Sequence, residues 1–310
     1  MPLPFSVLSL DLWKKDPRNF SLLLGQNFEK SGFCGISNHS LNKHLVDEVM
    51  EIFKEFFSFS EKKKMEYFEP NLGGARGYTP IKVETPKGGY EADIKEFWHV
   101  GRELTESHPF REWMPPNVWI NEIPNFELKL TQLFAQFDSL GQNLLSAIAI
   151  FLKLEKNFFN LKINNGNSVM RAIHYPKIIK EEKGERAGAH EDINLITLLI
   201  GGSNPGLEIQ NHQGEWTKPT VDENTILVNV GDMLQRFTNH MLVSTSHRVI
   251  ATKEQKKSSR YSIPFFVHPN PDWFIETLPS CISKNNPNKY PIGILSEDFL
   301  RERLKDIKLL

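Results

Sequence analysis

From residue 168 to residue 267 the chain is a succession of short runs rich in Val, Ile, Thr and Phe, each stopped by turn residues. The runs are 169–174, 195–200, 207–209, 225–230, 233–237 and 262–267. Between them lie Gly201-Gly202, Asn204-Pro205-Gly206, residues 211–214 and Gly231-Asp232. β-Branched and aromatic residues fit a pleated, half-buried surface. Many such runs with turn signals at this spacing predict a β-sandwich or jelly roll.

Helical patterns flank this stretch. Asp16 followed by Pro17 reads as an N-cap with proline in the first helical position, opening a helix toward Lys30. Residues 6–10 and 32–36 read as short strands. A helix follows over 41–57, with Leu45, Val49, Ile52, Phe53 and Phe56 on one stripe. The basic run 62–64 reads as a solvated helix face. Residues 71–77 and 85–89 read as loops. A helical period through Leu130, Leu133, Phe137, Leu140, Leu144 and Ile148 spans 123–153, with Pro124 near its start and a bend expected at Gly141. Residues 296–308 read as a terminal helix. The expected organisation is one catalytic unit over 1–310. It comprises a mixed α/β region at 1–120, a long supporting helix at 121–160, a jelly-roll core at 165–270 and a C-terminal segment with a helix at 271–310.

Bulk properties exclude several classes. The 37 basic and 38 acidic residues nearly cancel, which gives no electrostatic reason to expect nucleic acid, a membrane surface or a polyanionic partner. Two distant cysteines, Cys34 and Cys281, fit a reducing compartment without a disulfide framework. The first residues lack a basic segment followed by a long apolar run, and no stretch approaches the length needed to span a bilayer. A cytoplasmic protein acting on a small molecule is expected; monomer and dimer are not separated by these features.

Within the β-rich half stand His190-Glu191-Asp192, then His247, then Arg260-Tyr261-Ser262. Two imidazoles and a carboxylate on a β scaffold suit a facial-triad iron(II) site with open positions for a co-substrate and dioxygen. Residues i and i+2 of a strand leave the same face, so His190 and Asp192 would share a metal while Glu191 points away. His247 would arrive from another strand. Arg260 offers a planar fork that matches a carboxylate, and Ser262 leaves its strand on the same side. Together they form a receptor for the distal carboxylate of a dicarboxylic acid, in the company of Ile263, Phe265 and Phe266. Tyr175 would add a phenol donor. Asn229 and Gln235, flanking the Gly231-Asp232 turn, could support the metal ligands by hydrogen bonding, with turn or core hydrogen bonding the favoured reading.

These motifs resemble the isopenicillin N synthase-like branch of the iron(II)/2-oxoglutarate-dependent dioxygenases. The run from Asn27 to Tyr67 is similar to the family's helical N-terminal region. Gly77-Tyr78 and Lys95-Glu96-Phe97 resemble its middle segment. The stretches from His190 to Trp216, Ile226 to Val249 and Arg260 to Pro269 resemble its metal and co-substrate strands. The resemblance implies a mainly β protein with flanking helices, a double-stranded β-helix core and a helical N-terminal region. It implies His190, Asp192 and His247 as iron ligands, with Arg260, Ser262 and Tyr175 on 2-oxoglutarate. It also implies an oxidation with dioxygen (hydroxylation, desaturation or ring closure) that releases succinate and carbon dioxide. The substrate pocket would draw on Arg76, Tyr78, Lys95, Phe97, His99, Arg171 and Phe266. Two departures stand out: Ile173 occupies a position where plant members usually have Asn, and the loop 252–259 is longer than usual. The competing readings are an iron oxidase of the same fold that does not use 2-oxoglutarate, a zinc hydrolase, and a non-catalytic binding module. Absence of His-Glu-x-x-His weighs against the hydrolase, and an intact triad with Arg260 weighs against lost chemistry.

Overall fold

The computed structural model describes residues 5–85, 91–178, 184–202 and 204–306. Twelve strands build two sheets: β1 (Val7–Ser9), β2 (Phe33–Ser37), β3 (Gly77–Thr79), β4 (Glu96–Gly101), β5 (Val169–Tyr175), β6 (Ala187–His190), β7 (Ile196–Ile200), β8 (Leu207–Gln210), β9 (Trp216–Thr217), β10 (Ile226–Val230), β11 (His247–Val249) and β12 (Arg260–Val267). The main sheet has the order β1-β2-β10-β7-β12-β5-β4-β3, and the smaller sheet β6-β11-β8-β9. From β5 to β12 the chain passes back and forth between the sheets. β5, β7, β10 and β12 enter the main one; β6, β8, β9 and β11 enter the smaller one. That alternation is the expected jelly roll, mainly β with flanking helices.

Side-chain parity splits the main sheet into two faces. One packs with the smaller sheet: Phe33, Phe97, Ile173, Tyr175 and Leu227 form a cluster with Ala187, Leu207, Ile209 and Val249. The other faces the helices α1 (Leu10–Lys15), α2 (Pro17–Ser31), α3 (Lys43–Ser58), α4 (Glu61–Met65) and α5 (Phe126–Phe151), where Ile196, Leu198, Ile263 and Phe265 join the larger core. Phe265 stacks on Phe137 of α5 with centroids 5.0 Å apart.

Local signals set these elements. Asp16 caps α2 through Asn19 N–H, and Gly32 closes it at φ 68°. Asn42 caps α3, whose stripe of Leu45, Val49, Phe53 and Phe56 is buried. α5 runs unbroken through Gly141, where an added Cβ would lie 2.9 Å from a methyl of Val267. The glycine therefore permits close approach of helix and strand within a continuous helix, where a bend was expected.

Several expectations need correction. Residues 233–237 belong to a helix, α7 (Asp232–Phe237), not a strand; a short apolar run does not distinguish the two by period. A further short helix, α6 (Asn160–Ile163), follows α5, and the terminal helix is α8 (Ser296–Asp306). In the basic run only Lys62 is exposed. Lys64 is buried and donates to Glu96 at 2.6 Å. β3, β4 and β9 carry no strand signal in the sequence, whereas β6 and β11 hold the strand positions expected for His190 and His247. Most of the predicted loop 85–89, and the end of the predicted terminal helix, lie outside the described residues.

Candidate metal centre

His190 closes β6, His247 opens β11, and the two are register partners across the smaller sheet. Their rings stand 4.4 Å apart. Asp192 lies beyond the end of β6, where the chain crosses from the smaller sheet to the main one. A loop therefore places it, and the expected strand alternation does not operate there. Its Oδ1 is 3.9 Å from His190 Nε2 and 3.8 Å from His247 Nε2. Ligand atoms of the three residues all lie within 4.8 Å of one another.

Hydrogen bonds orient each donor. His190 Nδ1 is 2.8 Å from Gly188 O, and His247 Nδ1 is 3.1 Å from Thr245 O. A carbonyl only accepts, so both rings carry the proton on Nδ1 and turn an Nε2 lone pair toward Asp192. Burial, then His247, lowers the His190 pKa to about 4, so its imidazole is a neutral ligand at physiological pH. Burial by itself would raise Asp192. The two imidazoles and hydrogen bonds from Asn229 and Thr197 outweigh it and hold the carboxyl below its ordinary value. Thr197 donates at 2.6 Å and Asn229 at 2.8 Å, both to Oδ2, leaving Oδ1 toward the imidazoles. Thr197 and Asn229 are register partners on β7 and β10, which puts both on the face toward the metal site. Asn229 therefore supports a metal ligand, the less favoured of its two sequence readings. Gln235 accepts from Ser244 N–H at 2.8 Å, tying α7 to the segment that leads to His247. Glu191 stands outside the donor set beside Asp232, where burial and that second carboxyl raise its pKa. Two imidazole nitrogens and one carboxylate oxygen on one side of a point are a donor set that fits iron(II).

Arg260 opens β12 and is 5% exposed. Its Nη1 donates to Ser262 Oγ at 3.2 Å, its Nη2 to Gly201 O at 3.4 Å, and its guanidinium lies 5.0 Å from the ring centroid of its register partner Tyr175. Among the described residues no carboxylate pairs with it, and Nε has no partner. Strand parity gives Arg260 different neighbours from those expected. It shares a face with Ser262 and Phe266, while Ile263 and Phe265 point to the helices. Ile173, the departure from the plant pattern, pairs with Ser262 and packs between the sheets.

A cavity of about 490 Å³ reaches His190 and Asp192. Of the expected pocket residues Arg76, Lys95, His99, Arg171 and Phe266 line it. Two do not. Phe97 lies beneath Arg171, 4.2 Å from its guanidinium. Tyr78 is on the wrong face: it pairs with Trp98, packs on Phe56 and donates to Glu96 at 2.5 Å. Arg260 borders a separate hollow of about 320 Å³ with Arg186 and Ser258. Sequence reasoning missed Glu84, Asp93, Asn167, His268 and Arg303 in the main cavity wall. Burial would raise the Glu84 carboxyl, but Arg171 and Lys95 beside it hold it down to about 2.

Comparison with known proteins identifies the family. The pattern of the 2OG-Fe(II) oxygenase superfamily matches residues 166–269, and that of the non-haem dioxygenase in morphine synthesis N-terminal region matches 4–122. A 2-oxoglutarate-Fe(II) type oxidoreductase of Emericella nidulans, hxnY, is 31% identical over 292 residues, covering 90% of this chain and 82% of its own. The crystal structure of a 2OG-Fe(II) oxygenase family protein from Caulobacter crescentus superposes with a TM-score of 0.91 at 42% identity, over 98% of this chain and 99% of that one. A full-length Neurospora crassa protein crystallised in complex with alpha-KG and thymine superposes with a TM-score of 0.85 at 27% identity, over 97% and 96%. This chain belongs to the 2OG-Fe(II) oxygenase superfamily, and is an oxidoreductase that uses iron(II), 2-oxoglutarate and dioxygen.

Proposed function

We propose that His190, Asp192 and His247 hold the iron, that Arg260 with Ser262 and Tyr175 holds the distal carboxylate of 2-oxoglutarate, and that a small organic molecule is oxidised in the 490 Å³ cavity. The observation that carries the co-substrate assignment is the isolation of Arg260. A guanidinium that is 5% exposed with no carboxylate partner among the described residues is costly unless an anion joins it. Ser262 fixes the fork from one side and the Tyr175 ring covers it from another.

Bound at the triad, iron(II) with 2-oxoglutarate and dioxygen supplies the oxidising power for hydroxylation, desaturation or ring closure. The protein's part is orientation and exclusion of water. Gly188 and Thr245 carbonyls fix the two imidazoles, and Thr197 with Asn229 fixes the carboxylate. Phe33 packs edge-on to His247 at 5.7 Å, keeping that side dry. Residues 1–310 act as one catalytic unit in this reading; the hydrogen bonding of β1–β4 into the main sheet supports it.

The test is an anaerobic titration of the iron(II)-loaded protein with 2-oxoglutarate, following the weak visible charge-transfer band of the chelate. The band should appear. Arg260→Ala should weaken binding by roughly 30- to several-thousand-fold, the range for truncating one partner of a desolvated charge pair. An unchanged affinity would remove Arg260 from this role. Turnover without succinate would instead favour the oxidase that does not use 2-oxoglutarate.

A further inference from the structure

Four cationic side chains line the main cavity, and three are already neutralised. Arg171 donates to Glu84 at 3.0 Å, Lys95 to Asp93 at 2.8 Å, and Arg303 to Asp232 at 2.8 Å. Arg76 is the exception. It is 2% exposed, and among the described residues its only hydrogen bond runs from Nη1 to Ala75 O. Among those residues its buried Nε and Nη2 have no partner, and no carboxylate pairs with it. Those two nitrogens form one edge of the guanidinium, with N–H bonds side by side, the edge that takes both oxygens of a carboxylate. Burial lowers its pKa to about 10 against a smaller opposing pull from Glu103, so it stays charged at neutral pH.

The surroundings hold this fork in place. The guanidinium lies on Gly101, where an added Cβ would come within 2.0 Å of its Cζ, so only glycine leaves it room. His99 Nδ1 donates to Gly74 O at 2.6 Å, pinning the turn that delivers Arg76. The same ring accepts from Arg171 Nε at 2.5 Å, so its two nitrogens tie the turn to the cavity wall. Four further buried polar atoms on the cavity wall have no partner among the described residues: Asp232 Oδ1 and Arg303 Nε, which belong to a pair already joined through their other atoms, and Asn167 Oδ1 and His268 Nδ1, which belong to none. Asn167 and His268 flank the ends of β5 and β12 that pair beside Gly101. Arg260 is at the other end: its partner Tyr175 is six residues from Val169, the partner of Gly101, roughly 20 Å along β5.

We propose that Arg76 is the receptor for the prime substrate's carboxylate, so that the molecule oxidised is a small carboxylic acid with a polar group that reaches Asn167 or His268. This rests on the metal and co-substrate assignment above. The site then holds two anions on two unpaired guanidiniums, and His190 and Asp192 share the main cavity with Arg76. A buried fork left unpaired is a penalty that a neutral analogue would not relieve, which makes charge the basis of selection.

The experiment uses the whole protein loaded with iron(II) and 2-oxoglutarate under anaerobic conditions. A panel of small aliphatic and aromatic carboxylic acids is added, each beside its primary amide and methyl ester, and perturbation of the chelate band is read as binding. At least one acid should bind, and its amide and ester should bind roughly 30-fold or more weakly. Arg76→Gln should abolish that preference and Arg76→Lys should restore part of it. Equal binding of acid and amide, no binding of any acid, or an acid preference that survives Arg76→Gln would overturn the proposal. If Arg76→Gln does not fold, as its own 2-oxoglutarate titration would reveal, the acid–amide comparison in the unaltered protein decides the matter alone. Absence of the chelate band in the unaltered protein is a different failure, that of the co-substrate reading.

Discussion

The two sides of the cavity are built by different rules. On the metal side, His190, Asp192 and His247 are aimed by neighbours close in sequence or register: Gly188, Thr245, and the paired Thr197 and Asn229. On the substrate side, Arg171, Lys95 and Arg303 are neutralised by Glu84, Asp93 and Asp232, two of them from other segments of the chain, and Arg76 is left alone. The metal side is a rigid donor set that needs one ion to complete it. The substrate side is a balanced charge lattice with a single open position. In the proposed reading the oxidising centre and the group that selects the substrate thus sit on separate elements of the same fold.

The comparison can be broken most severely at the triad. Asp192→Ala or His247→Ala should abolish iron retention and turnover, measured by metal analysis after gel filtration and by succinate formation. Full activity in either variant would contradict the donor set drawn here.

The charge lattice should lose stability in acid. His268 is 8% exposed with Nδ1 unpartnered, and burial lowers its pKa from the ordinary 6.5 to about 4. The unfolded chain binds a proton below 6.5 while the folded one resists until about 4. Stability is therefore intact above that window and falls as pH drops through it, by on the order of 3 kcal/mol. Glu84, held down to about 2 from the ordinary 4.5, extends the loss as the pH falls further. Metal-free protein and its His268→Gln variant should be melted across this range; equal slopes would show that His268 does not carry the effect.

The smallest predicted effect sharpens the metal side. Asn229→Ala leaves the ligands intact but frees Asp192 Oδ2 from one donor, and should weaken iron affinity roughly 10- to 100-fold. Competitive chelation measures it. A null result would assign the positioning of Asp192 to Thr197 alone.

Much of the metal side is legible in the sequence. His190, Asp192, His247, Arg260 and Ser262 stand out because few residue types suit iron or a carboxylate, and the turn punctuation places them on or beside short strands. Asn229 is undervalued there because its partner Thr197 lies on a different strand, and only the β7–β10 register brings the pair to one carboxylate. Tyr78 is misplaced because β3 and β4 carry no strong period, so nothing in the sequence indicates which face Tyr78 and Phe97 take. Residues 233–237 mislead because a run that short has no period to read.

The residue types of the metal donor set, the helix cap at Asp16 and the strand–turn rhythm of the core are all readable without coordinates. These are local, set by side-chain chemistry and by neighbours along the chain. Only the tertiary structure decided which cation of the cavity would go without a partner. Pairing across dozens of residues depends on how strands come into register and which faces meet, and no local rule distinguishes Arg76 from Arg171 until Glu84 has reached one of them and not the other.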